Sequence, residues 1–388
     1  MMRFSKVIAA GSVFAIAACT STPAPTTPAS EEGIKGPATA RVTPMPSAML
    51  DTTQTITRIA FGSCLKQEDD QSIWNSVARS EPDVFLFIGD NVYGDNYSGE
   101  PGLPELHEAY AKLAESKPFA AFRQETPLLV TWDDHDFGLN DNGASFQYRE
   151  DAEALFEDVW AVPENSPVRA RPGIYDSRMI GSEDGKRVQI LMLDTRFFRS
   201  DLKETNERNA PGKERYLPDT DVTKTMLGNE QWLWLTQELR KPADLRIIAS
   251  SIQVIADGHG WEAWRTLPKE REKLYATITA TGAENVIFVS GDRHAGGIYR
   301  RNLVTTYPLY EVTSSSLNAP LSAWLDVTSP DFRQEAGPHR IGEMFYDENF
   351  GIVDIDWEQE VVSLRLTSKT GETVREQIIP LTELRPAY

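Results

Sequence analysis

Asp90 and Asp292 each follow a glycine at the end of an apolar run, in "DVFLFIGD" and "NVIFVSGD". A glycine lets the chain turn tightly, so each aspartate emerges at a strand end. Taken alone, Asp90 also reads as a helix cap. The repetition, with His294 two residues after Asp292, points instead to ligands. One carboxylate can bridge two cations about 3.5–4 Å apart, the spacing of two-metal hydrolysis. A third segment, "TWDDHDFGLNDNG", gathers Asp133, Asp134, Asp136 and Asp141 around His135 and Asn140. Carboxylates this dense repel one another unless cations neutralise them. Trp132 and the apolar run before it argue against a solvated loop.

Other residues extend the set. Tyr93 follows Asp90 by three positions; it is either a packing residue or, as phenolate, a hard oxygen ligand suited to a trivalent ion. Cys64 is either a small buried hydrophobe or a soft thiolate ligand, which favours iron or zinc over magnesium. Arg196, in "LDTRFFR", suits a phosphate oxygen, and equally an ion pair with Asp194 or Asp201. His259, in "ADGHGWEAW", reads as ligand, proton donor or pocket wall. His107 and His339 read as surface or structural residues.

These residues need strands to deliver them. Runs rich in β-branched and aromatic residues end at Cys64, Asp90, Asp136, Arg196, Ser251, His294 and Ser316. Between them "SIWNSVAR", "EALFEDVW" and "EQWLWLTQELR" repeat apolar residues at helical spacing. Near-continuous apolar strands alternating with helices imply a parallel or mixed sheet covered on its faces. In such sheets the ligand site lies beyond the carboxyl ends of the strands. If those ends lie side by side, the result is a metal site. The alternating C-terminal stretch from Gly351, interrupted at Thr370-Gly371, predicts an antiparallel hairpin closing a sheet edge.

The chain has 388 residues and a formal net charge of −19, which excludes electrostatic binding to nucleic acid or anionic lipid. Its first 18 residues carry Arg3 and Lys6, then an apolar run too short to span a bilayer, which is the layout of a secretory signal peptide. "AIAAC" resembles a bacterial lipobox and makes Cys19 the expected site of lipidation; a plain cleaved signal peptide is the alternative. Residues 19–55, rich in Pro, Thr, Ala and Ser at their start, are expected to form a flexible tether. A single domain is then expected over 56–388, exported and anchored facing the periplasm. Thr20, rather than Asp, after the cysteine points to the outer membrane.

As a set, "FGSC", "GDNVYGD", "TWDDHDFGLND", "LDTRFFR", "GDRH" and "NFGIVDIDW" resemble the PhoD-like (alkaline phosphatase D) family of calcineurin-like metallophosphoesterases. The resemblance covers roughly residues 56 to 365. It implies an α/β fold, an αββα sandwich of two mixed sheets flanked by helices. It also implies an iron-type ion, Fe3+, at Cys64, Asp90 and Tyr93, with His294 nearby. A second site, often Ca2+, would use Asp90 as bridge with Asp134, Asn140 and Asp292; Asp133 belongs to the same acidic set, and Zn2+ or Mn2+ are further options. Many members carry an extra N-terminal β-domain, whose place the tether takes here. The expected activity is hydrolysis of phosphomonoesters or phosphodiesters by a hydroxide that the metals activate. Arg196 would offset phosphoryl charge, and His135 or His259 would protonate the leaving group. A monomer is expected, with a phosphate ester as substrate. A dedicated phosphodiesterase or phospholipase, and a non-catalytic metal- or phosphate-binding lipoprotein, are the rival readings.

Overall fold

Both faces of the central strands are buried, which is why they read as continuous apolar runs. In β2 (Val84–Ile88), Val84, Leu86 and Ile88 face one core while Phe85 and Phe87 face another. The computed structural model describes residues 42–182, 185–330 and 332–387. The expected signal peptide, Cys19 and residues 19–41 of the expected tether lie outside the described residues.

In chain order the other strands begin with β1 (Arg58–Gly62), β3 (Leu128–Thr131), β4 (Asp176–Ile180) and β5 (Val188–Met192). Two short ones follow, β6 (Lys203–Glu204) and β7 (Tyr216–Leu217), then β8 (Leu245–Ser250), β9 (Val286–Ser290) and β10 (Gly296–Arg301). The last are β11 (Leu309–Ser314), β12 (Arg340–Phe345), β13 (Asn349–Asp356), β14 (Val361–Ser368) and β15 (Thr373–Pro380). The helices are α1 (Ile73–Arg79), α2 (Pro104–Glu115), α3 (Lys117–Glu125), α4 (Arg149–Val159), α5 (Gly228–Glu238) and α6 (Pro268–Thr281).

One sheet runs β15-β14-β13-β1-β2-β3, and the other runs β12-β10-β11-β9-β8-β5-β4. β1, β2 and β3 are parallel to one another, as are β5, β8, β9 and β11. The outer strands are antiparallel, so both sheets are mixed. The inner faces meet in a core that includes Ile59, Phe61, Leu86 and Ile88 from one sheet and Ile247, Ile287, Val289 and Val312 from the other. Helices α1 to α4 cover the outer face of the first sheet, α5 and α6 that of the second. The architecture is the αββα sandwich. On its outer face, Trp74 meets Phe85, Phe87, Phe119 and Phe122 with ring centroids 4.9–5.6 Å apart. Each such burial contributes on the order of 2 kcal/mol.

The C-terminal stretch goes beyond the expected hairpin. It is a three-stranded meander, β13-β14-β15, with β13 paired to β1. Residues 42–55 depart from the expected tether, because they lie bound to the domain. Met45 is buried and its N–H donates to Val159 O at 2.7 Å, and Gly181 N donates to Thr52 O at 2.9 Å. Met45, with Val42 and Leu50 packed at the core's edge and a few hydrogen bonds, holds a segment whose composition alone suggested a linker.

Candidate metal centre

The parallel strands of both sheets release their chemistry-bearing residues within a few positions of their carboxyl ends. β1 ends at Gly62 before Cys64, β2 at Ile88 before Asp90, β3 at Thr131 before Asp133 and Asp134. β9 ends at Ser290 before Asp292 and His294, and β11 at Ser314 before Ser315. The chain then turns through left-handed backbone at Cys64 (φ 57°), Asp90 (φ 46°), Asp292 (φ 65°) and His294 (φ 53°). Non-glycine residues rarely adopt this conformation, and such strain gathers at functional sites. Gly89 makes the turn before Asp90 possible: its φ is 110°, and a Cβ there would sit 2.6 Å from Asp133 Cβ. Gly291 is required by proximity instead, since a Cβ there would collide with Ser63 Oγ.

Asp90 is fully buried at the middle of the site. Its Oδ2 accepts from Cys64 Sγ at 3.3 Å and from the Tyr93 hydroxyl at 3.1 Å. Ligand atoms of Cys64, Asp90 and His294 lie within 4.8 Å of one another, as do those of Asp90, Asp134 and His135, and those of Asp133, Asp134 and Asp292. Asp90 and Asp134 therefore link three adjoining groups. Asp136, by contrast, is scaffold: it accepts from Asp133 N at 2.7 Å and from Asn91 Nδ2 at 2.7 Å.

The two histidines are oriented from behind. Nδ1 of His294 lies 2.6 Å from Ala319 O and donates to it, which leaves Nε2 as the acceptor facing Cys64 and Asp90. Burial pushes His294 down to about 4, so the ring is neutral, the form that ligates cations. Nδ1 of His135 lies 2.7 Å from Asp95 Oδ2. Burial opposes charge on that ring, but Asp134, Asp90 and Asp95 outweigh it and push His135 up to about 11.

The carboxyls show what the site is built for. Burial, with repulsion from neighbouring acids, raises Asp90 and Asp292 well above the usual range and Asp133 to about 7. Burial likewise raises Cys64 and Tyr93, the Asp90 charge adding to it. For Asp134 burial is offset by His135 and Arg196, which hold it low. Asp90 Oδ1, Asp133 Oδ2 and Asp134 Oδ1 are buried with no hydrogen-bond partner among the described residues. Three orphaned carboxylate oxygens beside a thiol, a phenol and an imidazole fit bound cations, whose charge would reverse these shifts.

The sequence profile of the PhoD-like phosphatases matches residues 59–366, which takes in every strand from β2 to β13 and all of these groups. The chain belongs to the PhoD-like phosphatase family. It is 25% identical over 268 residues to alkaline phosphatase D of Bacillus subtilis (strain 168); the match covers 61% of this chain and 45% of that protein, so the chain spans less than half the length of this relative. A solved structure of PhoD aligns with TM-score 0.61 at 17% identity, over 86% of this chain and 70% of that one, and shows the shared fold.

Within this PhoD-like site several expected residues take other places. Arg196 is wholly buried: Nε and Nη2 meet Asp133 Oδ1 at 2.6 and 2.5 Å, and Nη2 meets Glu262 Oε2 at 2.5 Å. It is a strut beneath the acids, paired neither with Asp201 nor through its side chain with Asp194, and its fork is not free for a phosphate. His259 is buried, with Nε2 2.9 Å from Gln253 Oε1 and Nδ1 accepting from Trp261 N at 3.2 Å. Burial pushes it to about 4, and with both nitrogens engaged it has no proton for a leaving group. Asn140 is exposed, and its neighbour Asp141 (φ 59°) turns inward instead. Asp141 groups with Asp134 and Glu262, and accepts from the Tyr216 hydroxyl at 2.8 Å. Glu262, which the motifs did not flag, also pairs with Arg199 at 2.9 Å. The one hint to it was an acid inside the aromatic run "GWEAW".

Proposed function

We propose that this chain is a metal-dependent phosphoesterase that hydrolyses phosphomonoesters or phosphodiesters outside the cytoplasm. The observation that carries the reading is the sharing of buried Asp90 and Asp134 among four ligand groups, with three carboxylate oxygens that lack a hydrogen-bond partner among the described residues. A passive binding protein needs no such convergence from separate strands.

Cys64, Asp90, Tyr93 and His294 would hold one cation, and Asp90, Asp134, Asp133 and Asp292 a second. The thiol-phenol-imidazole set suits Fe3+ or Zn2+, the all-carboxylate set Ca2+ or Mn2+. Cations there would supply the positive charge that a phosphoryl oxygen and its attacking water require. The protein's own residues orient and exclude. Ser315 Oγ, 3.1 Å from Cys64 Sγ and accepting from His294 N at 2.7 Å, fixes both ligands. Asp95 holds His135 so that its outer nitrogen, beside Asp90 and Asp134, can hold or hand over a proton at the leaving oxygen.

The test is turnover of bis(p-nitrophenyl) phosphate and p-nitrophenyl phosphate by the full chain, with Asp90→Asn and with chelation. Both treatments are expected to abolish turnover. Activity that survives Asp90→Asn refutes the assignment. We further infer anchoring through a lipid on Cys19, facing the periplasm; it rests on the N-terminal sequence alone. Radiolabelled fatty acid incorporated by the wild type and lost in Cys19→Ser supports it, and unlabelled wild type rejects it.

A further inference from the structure

Arg196 and Arg199 are spent on Asp133 and Glu262, so neither is free for an incoming phosphate. A further cation, Lys66, lies over the ring of the candidate ligand Tyr93. Its ammonium lies 4.9 Å from the ring centre of Trp324 and 5.8 Å from that of Tyr93, and among the described residues no carboxylate pairs with it. Two aromatic faces replace part of its hydration and hold it in place, while leaving its donors open.

The lysine is also held rigidly. Lys66 N donates to Asn318 Oδ1 at 2.7 Å, and Asn318 Nδ2 donates to Lys66 O at 2.9 Å. The next residue, Gln67, grips the Tyr93 backbone at 2.9 and 3.1 Å. Trp324 in turn packs its ring edge-on against the metal-facing His294, with centroids 4.6 Å apart, on a segment whose Leu321 N donates to His294 O at 2.8 Å. Trp324 is nevertheless 48% exposed and its neighbour Leu325 50%. An indole half in solvent, fixed beside a candidate ligand and next to an unpaired cation, is placed to be covered by something.

We propose that Lys66 and Trp324 form the recognition lip of the site. Lys66 takes a phosphoryl oxygen, and the indole of Trp324 lies against a planar apolar group on the ester. The substrate class is a phosphate ester carrying an aryl or heterocyclic substituent. This rests on the phosphoesterase reading and narrows it.

The test uses the full chain and three probes: bis(p-nitrophenyl) phosphate, methyl p-nitrophenyl phosphate and inorganic phosphate. The two esters share a leaving group and differ in the retained one. Wild type is expected to favour the bis-aryl ester in kcat/KM, and Trp324→Ala to erase that preference. Lys66→Met is expected to raise KM for both esters about tenfold or more, the scale of one charge-assisted hydrogen bond. It should weaken binding of inorganic phosphate by calorimetry to a similar degree, with metal content unchanged and Lys66→Arg restoring much of the loss. Unchanged phosphate affinity in Lys66→Met, or lost metal in that variant, overturns the lysine's role. An undiminished aryl preference in Trp324→Ala overturns the indole's. If wild type turns over neither ester, the phosphoesterase reading fails separately, and the phosphate titration still decides Lys66.

Discussion

Asn318 holds the backbone of Lys66 from both sides, its Oδ1 accepting from Lys66 N at 2.7 Å and its Nδ2 donating to Lys66 O at 2.9 Å. These residues lie about 250 positions apart, and the pair ties the turn after β1 to the segment after β11. Asn318 N also donates to Cys64 O at 3.4 Å, and Leu317 N to Ser63 O at 2.9 Å. Position of the lysine and position of the cysteine are thereby set by one clamp.

Asn318→Ala should therefore act on both stability and recognition. It strips partners from Lys66 N and O at a nearly buried position, which costs on the order of 2 kcal/mol. Chemical denaturation measures the first effect and the KM of an aryl phosphodiester the second. A variant as stable as wild type would show that the clamp is incidental.

The two glycines at positions 89 and 371 separate strain from contact. Both have positive φ, 110° and 93°, yet a Cβ at Gly371 meets nothing within 4 Å. Gly371→Ala should cost about 1 kcal/mol for the turn conformation alone. Gly89→Ala adds the clash with Asp133 and should cost about 3 kcal/mol or more. It should also lower metal content, because Asp90 and Asp133 move with it. Denaturation midpoints and metal analysis of the two variants check this; equal losses would mean the Gly89–Asp133 approach is not limiting.

His259 gives the domain a pH-dependent stability. Its folded pKa is depressed to about 4 by burial, against an unfolded value near 6.5. Above pH 6.5 both states are neutral at this ring and it contributes no slope. Between 6.5 and 4 the unfolded chain takes up a proton that the folded one refuses, so stability falls as pH falls, by about 3 kcal/mol in all. His259→Gln should flatten that part of the stability profile while leaving the pH dependence of turnover unshifted. A shifted turnover profile would return His259 to the chemistry.

What was legible in the sequence follows from how local each cause is. Strand ends announce themselves, since a buried run that stops at Gly-Asp needs few partners to interpret. The convergence of Cys64, Asp90, Asp134, Asp292 and His294 follows from parallel strands sharing a carboxyl end. Residues whose role depends on distant partners were not legible. Arg196 sits at a strand end like a phosphate ligand, but Asp133 and Glu262 from separate loops claim it. Asn140 and Asp141 differ by one position in a loop, and only the left-handed turn at Asp141 decides which faces inward. Lys66 and Trp324 meet across most of the chain, with no spacing to signal it.

Arg196 yields the last prediction, because the two roles assigned to it differ in what its loss would do. A phosphate-binding arginine, when removed, weakens substrate binding and leaves folding nearly untouched. A buried strut, when removed, leaves Asp133 without its countercharge and Glu262 with Arg199 alone. Breaking such a pair from one side costs about 3–5 kcal/mol. Arg196→Met keeps much of the stem volume, so packing loss stays small and the charge effect dominates. Its free energy of unfolding should fall by that amount. The double variant Arg196→Met with Glu262→Gln should recover part of the loss, since it removes one of the two acids that Arg196 bridges. A stable single variant with weakened phosphate binding would instead mean that the arginine leaves Asp133 to meet the substrate.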